Sequence, residues 1–198
     1  MERHDRMAHA QSMDPGDESL LMGRIAAKDD EAFATIVSHH MTSIYRFAYS
    51  ITGDAAMAED MTQETCIRLW KNAGQWKPEG RVRSWLLRIA HNLCMDGLRA
   101  AKPTLPLEKL ESSLASNEPD AGAAMQESQI SRIVKQALFE LPERQRIALM
   151  LVHYSGCSQG EAAEIMGASV DAIESLLARG KLGLRNLLSG MKEDLLEG

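Results

Sequence analysis

Between Lys102 and Met125 the chain cannot continue a helix. Pro103, Pro106 and Pro119 fall there among Ser, Ala and Gly122, with two Lys against four Asp and Glu. Such a segment reads as an acidic linker. On both sides of it the apolar residues recur at near 3.6 spacing, and nothing alternates convincingly with period 2. The expected fold class is therefore all-α: two small helical domains joined by a flexible linker. Residues 1–16 mix His, Asp, Gln, Pro and Gly without periodicity and read as a disordered tail. Residues 17–101 read as the first domain, 102–126 as the linker, 127–190 as the second domain and 191–198 as a second tail.

Four helices are expected in the first domain, over 17–28, 29–52, 55–73 and 83–101, with a loop from Gly74 to about Val82. Trp85, Leu86, Ile89, Ala90, Leu93, Cys94 and Leu98 form one apolar stripe on the fourth helix. Its other face presents Arg88, His91, Asn92, Met95, Asp96 and Arg99. Gln75–Arg99 carries five Lys and Arg against two Asp and Glu, inside a chain of net charge −6. A basic, amide-bearing face beside Trp76, Lys77, Arg81 and Arg83 suits single-stranded DNA, whose backbone follows cations and whose unstacked bases need a platform. The competing reading has Trp76 plugging the core and the charges merely solvated. The third helix is polar outside, at Glu59, Asp60, Gln63, Glu64 and Arg68. That strip is either solvated surface or a dock for a basic protein.

The second domain contains the clearest motif. Ser158 and Glu161 form a capping box, Gly167-Ala168-Ser169 makes a sharp turn, and Ser169 caps the helix that follows. Val170, Ile173, Leu176 and Leu177 give that helix a buried stripe and leave Asp171, Ala172, Glu174, Ser175, Ala178 and Arg179 outside. Arg179, Lys181 and Arg185 follow without an intervening acid. This is the pattern of a helix-turn-helix whose second helix enters a major groove; a plain helical hairpin with a solvated basic end is the alternative. Upstream, Pro142 opens a helix through His153, with Arg144 and Arg146 placed either for phosphate or for solvent.

Other classes of function find less support. The acidic balance argues against coating nucleic acid through bulk charge. Cys66, Cys94 and Cys157 are isolated and read as small buried hydrophobes, without a zinc knuckle or disulfide framework. No Gly-rich phosphate loop, nucleophile elbow or zinc-protease motif is present, so no enzyme and no cofactor is expected. His39 and His40 are adjacent, about 100° apart on a helix, which makes a shared metal difficult. No apolar run reaches membrane length, and residues 1–16 lack the apolar stretch of a signal peptide, so a cytoplasmic chain without membrane insertion is expected.

Three blocks together resemble a known family. Glu59-Asp60-Met61-Thr62-Gln63-Glu64-Thr65 with Leu69-Trp70 resembles the core-polymerase-binding helix of bacterial sigma factors. Ser84-Trp85-Leu86-Leu87-Arg88-Ile89-Ala90-His91-Asn92, then Asp96 and Arg99, resembles their helix at the promoter −10 element. Leu141-Pro142-Glu143-Arg144-Gln145-Arg146 with the helix-turn-helix resembles their −35-binding domain. Short length and a missing middle domain match the extracytoplasmic-function group. The resemblance covers about residues 17–101 and 127–188. It implies binding to core RNA polymerase through Glu59, Asp60, Gln63 and Glu64. It implies contact with melted −10 DNA through Trp76, Lys77, Arg81, Arg83, Arg88, His91, Asn92 and Arg99, an unstacked base entering a pocket near Trp76 and Asn92. It implies contact with −35 DNA through Arg144, Ser169, Asp171, Ala172, Glu174, Ser175, Ala178, Arg179 and Lys181, with Ser175 and Arg179 foremost. The linker would thread through polymerase. Control by an anti-sigma factor, a role in stress response and a monomer when free of partners are also implied. Glu174 departs from the basic residue usual at its position, and Cys66 stands where Phe is common. A polymerase-independent helix-turn-helix regulator with an N-terminal sensing or dimerisation domain is the alternative, and a pure interaction module a third class.

Overall fold

The computed structural model describes residues 13–78, 80–101 and 129–196, with side chains over 13–78, 80–100 and 132–190. The expected linker at 102–126 and the first twelve residues of the expected tail lie outside them. Eight helices and no strand occur among the described residues: α1 (Pro15–Ala26), α2 (Asp30–Thr52), α3 (Ala55–Asn72), α4 (Val82–Ala101), α5 (Gln129–Glu140), α6 (Glu143–Leu149), α7 (Gln159–Met166) and α8 (Val170–Leu196). A 3-10 turn at Ala73–Gln75 follows α3, and a π-helical turn at Met150–Tyr154 extends α6. α1 begins inside the segment expected as tail, and α8 runs past residue 190.

Side-chain caps start the first three helices. Asp14, Asp29 and Asp54 each accept a backbone N–H of the turn that follows, which satisfies donors that a helix leaves open. α2 stops at Gly53, whose φ of +69° a side chain would disfavour. Lys28 also adopts a positive φ, +67°, between α1 and α2. Its ammonium donates to the carbonyl of Trp70 at 2.7 Å and lies 5.1 Å from that indole ring. A contact from α3 thus holds the tight turn.

α1–α4 pack around Met22, Ile25, Ile36, Ile44, Phe47, Leu69, Leu86 and Leu87, all fully buried. α5–α8 close around Ile147, Leu151, Ala162 and Ile173. The two sets form one continuous apolar cluster, because α6 lies on α2 and α7 on α4. The joint is polar at its centre. Arg146 is 9% exposed. It donates to the carbonyls of Phe139 at 3.0 Å, Leu141 at 3.4 Å and Ile51 at 3.4 Å, and its guanidinium lies 5.0 Å from the Phe139 ring. The same ring meets Tyr49 of α2 edge-on at 5.8 Å. Of the two arginines read as equivalent, Arg146 is therefore internal, whereas Arg144 is exposed.

α8 approaches α6 closely at Gly180. A Cβ on Gly180 would stand 3.0 Å from Leu149 Cδ1 and 3.2 Å from its Cγ, while Gly190 meets nothing within 4 Å. Gly180→Val should therefore destabilise the C-terminal helices by about 1–3 kcal/mol. Gly190→Ala, at an open helical site, should stabilise by roughly 0.5–1 kcal/mol. Urea unfolding of the two variants beside the parent checks both signs. A second expectation concerns pH. Burial holds His91 and His39 below the ordinary histidine range. The folded chain then binds these protons more weakly than the unfolded chain, so stability should fall as pH drops through and below about 6.5. Denaturant midpoints between neutral pH and pH of about 5.5 should decline, and His91→Gln should flatten that decline.

Candidate nucleic-acid and polymerase interfaces

The loop after α3 and the first turns of α4 form one wall of a cleft of about 830 Å³. Trp76, Lys77, Arg81, Trp85 and Arg88 line this side; Ser158, Glu161 and Glu164 of the α7 region line the other. Trp76 packs against the apolar core and also borders the cleft. Its indole Nε1 is buried without a hydrogen-bond partner.

Carboxylates face the cations across this cleft. Arg88 pairs with Glu164 at 2.9 Å, the two side chains 46% and 72% exposed. At that exposure the pair contributes no more than about 1 kcal/mol. Ser84 donates a hydrogen bond to Glu161. The other Glu161 carboxylate oxygen accepts the backbone N–H of Ser158 at 2.7 Å, completing the capping box. Burial pushes the Glu161 carboxyl up, but the hydrogen bonds from Ser84 and Ser158 outweigh it and hold the group below the usual carboxylate range. Arg46 adds a second bridge, donating to the hydroxyl of Tyr154 at 2.8 Å.

The eight residues expected on this face do not all converge. Trp76, Lys77, Arg81 and Arg88 border the cleft. Arg83 turns back onto α2, donating to Ser43 Oγ at 2.8 Å, and its Nε is buried without a partner. His91 is half-buried and its Nδ1 has no hydrogen-bond partner. Asn92 and Arg99 are exposed farther along α4, outside the cleft lining, and Arg99 pairs with Asp96 at 3.0 Å. Ser84, Trp85, Glu161 and Glu164 were not among the expected site residues. The sequence signal for the acids is the i, i+3 spacing of Glu161 and Glu164, opposite buried Ala162 and Ala163.

On α3, Glu59, Asp60 and Gln63 are exposed, whereas Glu64 is drawn down by an ion pair with Arg68 at 3.0 Å. Ile67 joins this surface at 44% exposure. An apolar residue within an acidic strip is a feature that periodicity alone did not separate from core.

The helix-turn-helix follows its local signals. Gly167 takes a φ of +57° at the end of α7, and Ser169 Oγ accepts the Ala172 N–H at 3.2 Å. Ile173, Leu176 and Leu177 are buried, but Val170 is 43% exposed, because at the first turn it precedes the contact with α7. Ser169, Asp171, Glu174, Ser175, Ala178, Arg179 and Lys181 are exposed, Ala172 half-buried. Arg179 Nε donates to the Ser175 carbonyl at 3.1 Å. The first two turns of α8 are therefore acidic, at Asp171 and Glu174, and the stretch from Arg179 to Arg185 is basic.

Cys94 and Cys157 are buried, with burial pushing their thiols up to about 12 and about 11. Half-buried Cys66 is raised as well. These thiols are protonated near neutral pH and poor nucleophiles. No helix among the described residues is long and apolar enough to cross a membrane.

Known proteins match this arrangement. The family profile described as Sigma-70 region 2 matches residues 36–104, and that described as Sigma-70, region 4 matches residues 131–184. The chain is 33% identical over 175 residues to the ECF RNA polymerase sigma factor SigM of Mycobacterium tuberculosis, covering 87% of this chain and 84% of SigM. It is 28% identical over 169 residues to SigW of Bacillus subtilis, covering 81% and 90%. Among solved structures it resembles CnrH in complex with the cytosolic domain of CnrY, with a TM-score of 0.64, 23% identity and coverage of 88% and 98%. It also resembles the sigma factor RpoE of Bartonella quintana, with a TM-score of 0.63, 23% identity and coverage of 79% and 96%. On the strength of both profiles in order and of the relation to SigM, the chain belongs to the extracytoplasmic-function sigma factors of bacterial RNA polymerase.

Proposed function

We propose that this sigma factor divides its work among three surfaces. Glu59, Asp60, Gln63 and Glu64, with Ile67, dock on core RNA polymerase. Trp76, Lys77, Arg81 and Arg88 receive the melted −10 strand, with Asn92 and Arg99 guiding its backbone farther along α4. Ser175 and Arg179 read the −35 duplex, while Arg144, Ser169 and Lys181 approach its phosphates. Asp171, Ala172, Glu174 and Ala178 complete the face of α8 that meets the groove, Glu174 accepting from a cytosine amino group. Arg83 and His91 support the −10 face from within, because both are drawn into the fold. The reaction chemistry belongs to polymerase, and the chain works as a monomer in the cytoplasm, where polymerase and promoters are.

The observation that carries this reading is the cleft. Two tryptophans and three cations converge on one wall, and carboxylates of the DNA-reading domain cover them. A strand cannot enter while α7 is seated there, so α5–α8 must swing away from α4 before promoter capture. Binding to core polymerase supplies that displacement, which makes DNA binding polymerase-dependent and separates this reading from an autonomous operator-binding regulator. The closed arrangement also suits inhibition. The RpoE relative was solved with the anti-sigma factor NepR, and a protein that held the two domains of this chain together would silence it.

Run-off transcription with purified core polymerase and a promoter upstream of the chain's own operon should give a specific transcript. No transcript, with no association with core on gel filtration, would overturn the reading. Trp76→Phe and Asn92→Ala should impair open-complex formation more than core binding, whereas Asp60→Ala should weaken core binding first. Arg179→Ala should weaken −35 recognition by about 1–3 kcal/mol in a competition assay. Glu164→Lys places like charges at the Arg88 contact and should shift the solution ensemble toward open forms. Small-angle scattering reads this as a larger radius of gyration, and an unchanged radius would show that the apolar joint alone holds the domains.

A further inference from the structure

Away from these surfaces, three ligand-bearing side chains meet where α1 lies on α2. Glu18 comes from the first turn of α1, His39 and His40 from the middle of α2. His40 is 4% exposed and Glu18 9%. His40 Nε2 lies 3.0 Å from Glu18 Oε1. The approach is off the line of an N–H···O bond, so this enclosed nitrogen has no hydrogen-bond partner. The His39 and His40 rings meet edge-on with centroids 4.7 Å apart. One donor atom from each of the three residues lies within 4.8 Å of the other two. The splay between adjacent helical positions, which made a shared ligand difficult to expect from sequence, is closed here by the turn of the two rings toward one another.

We propose that Glu18, His39 and His40 bind one borderline divalent cation, zinc in preference to magnesium or calcium. Two imidazoles and a carboxylate match the three protein ligands of open zinc sites, which leave a fourth position for water. Magnesium and calcium favour all-oxygen shells. Donors about 2.0–2.1 Å from a tetrahedral centre stand roughly 3.3 Å apart, close to the 3.0 Å between Glu18 and His40. The wider spacing closes by side-chain rotation at half-buried His39, which also gives the ion its way in. The charge of Arg83 opposes a cation, so the affinity expected is micromolar rather than the tighter grip of a thiolate site. A bound ion ties α1 to α2 and fixes Met22 and Ile25 in the core.

The test uses the full chain after chelator treatment. Cobalt(II) should bind one equivalent with visible d–d bands and no thiolate charge-transfer band in the near ultraviolet. Zinc should displace it, and zinc should raise the melting temperature. Glu18→Gln and His39→Gln, neither at a fully buried position, should each weaken binding at least tenfold while the metal-free circular dichroism spectrum stays that of the parent. Loss of binding in both folded variants sustains the site. Absence of saturable binding, unchanged affinity in either variant, or a cobalt spectrum carrying the thiolate band would each overturn it, the first leaving a plain Glu18–His40 ion pair. Core binding and transcription are read separately, and failure here leaves the polymerase reading standing because none of the three residues belongs to its surfaces.

Discussion

Arg146 sits where three carbonyls at helix ends would otherwise be left without donors. The Ile51 carbonyl belongs to the last turn of α2, and those of Phe139 and Leu141 lie at the end of α5. Helix C-termini carry partial negative charge, so one guanidinium answers both ends. Burial lowers the pKa of Arg146 from its ordinary high value, but an arginine remains charged near neutral pH. Its flat face lies over Phe139 and its fork reaches across the domain joint. Once α6 is fixed against α2 in this way, α7 is brought onto α4. The cleft around Trp76 is then bounded on both sides. The occupant of the basic wall thus follows from a contact on another helix.

The bonds across the joint differ in strength. Arg88–Glu164 and Arg46–Tyr154 are exposed and weak individually. The apolar cluster and Arg146 carry more of the joint. Under the opening proposed above, α1–α4 keep contacts among themselves around Ile36, Phe47 and Leu86. The acidity of the chain then has a structural meaning. The −6 net charge includes carboxylates that face the basic wall when no DNA is present. In the free chain those carboxylates cover the cations of this wall.

Local signals were legible wherever a helix terminus or a turn is decided by a few neighbouring residues. The Ser158–Glu161 box, Gly167 and the Ser169 cap all follow from short-range hydrogen bonding and allowed φ, and each occurs as expected. The outward face of α8 was equally readable, since a period of 3.6 fixes which residues share a side. Val170 escaped the pattern because a first-turn residue can sit on the apolar side without yet reaching the neighbouring helix. The family showed as a resemblance of three motif blocks in order, at Glu59–Thr65, at Ser84–Asn92 and at Leu141–Arg146 with the helix-turn-helix.

What depends on contact between distant segments was not legible. Arg144 and Arg146 have the same composition and nearly the same sequence context, yet one is exposed and the other enclosed. Only the placement of α2 and α5 distinguishes them. Trp76 was read as either core or platform, and the tertiary structure gives it both sides. His39 and His40 converge with Glu18 because α1 lies on that turn of α2, more than twenty positions away in the chain. The sequence by itself determined the helices, their caps and the helix-turn-helix, because these rest on short-range periodicity and local hydrogen bonding, and three of its motif blocks carried the resemblance to the family. The tertiary structure alone decided which charges are buried, which face one another and which surface is covered, because electrostatics and burial depend on distance in space rather than along the chain.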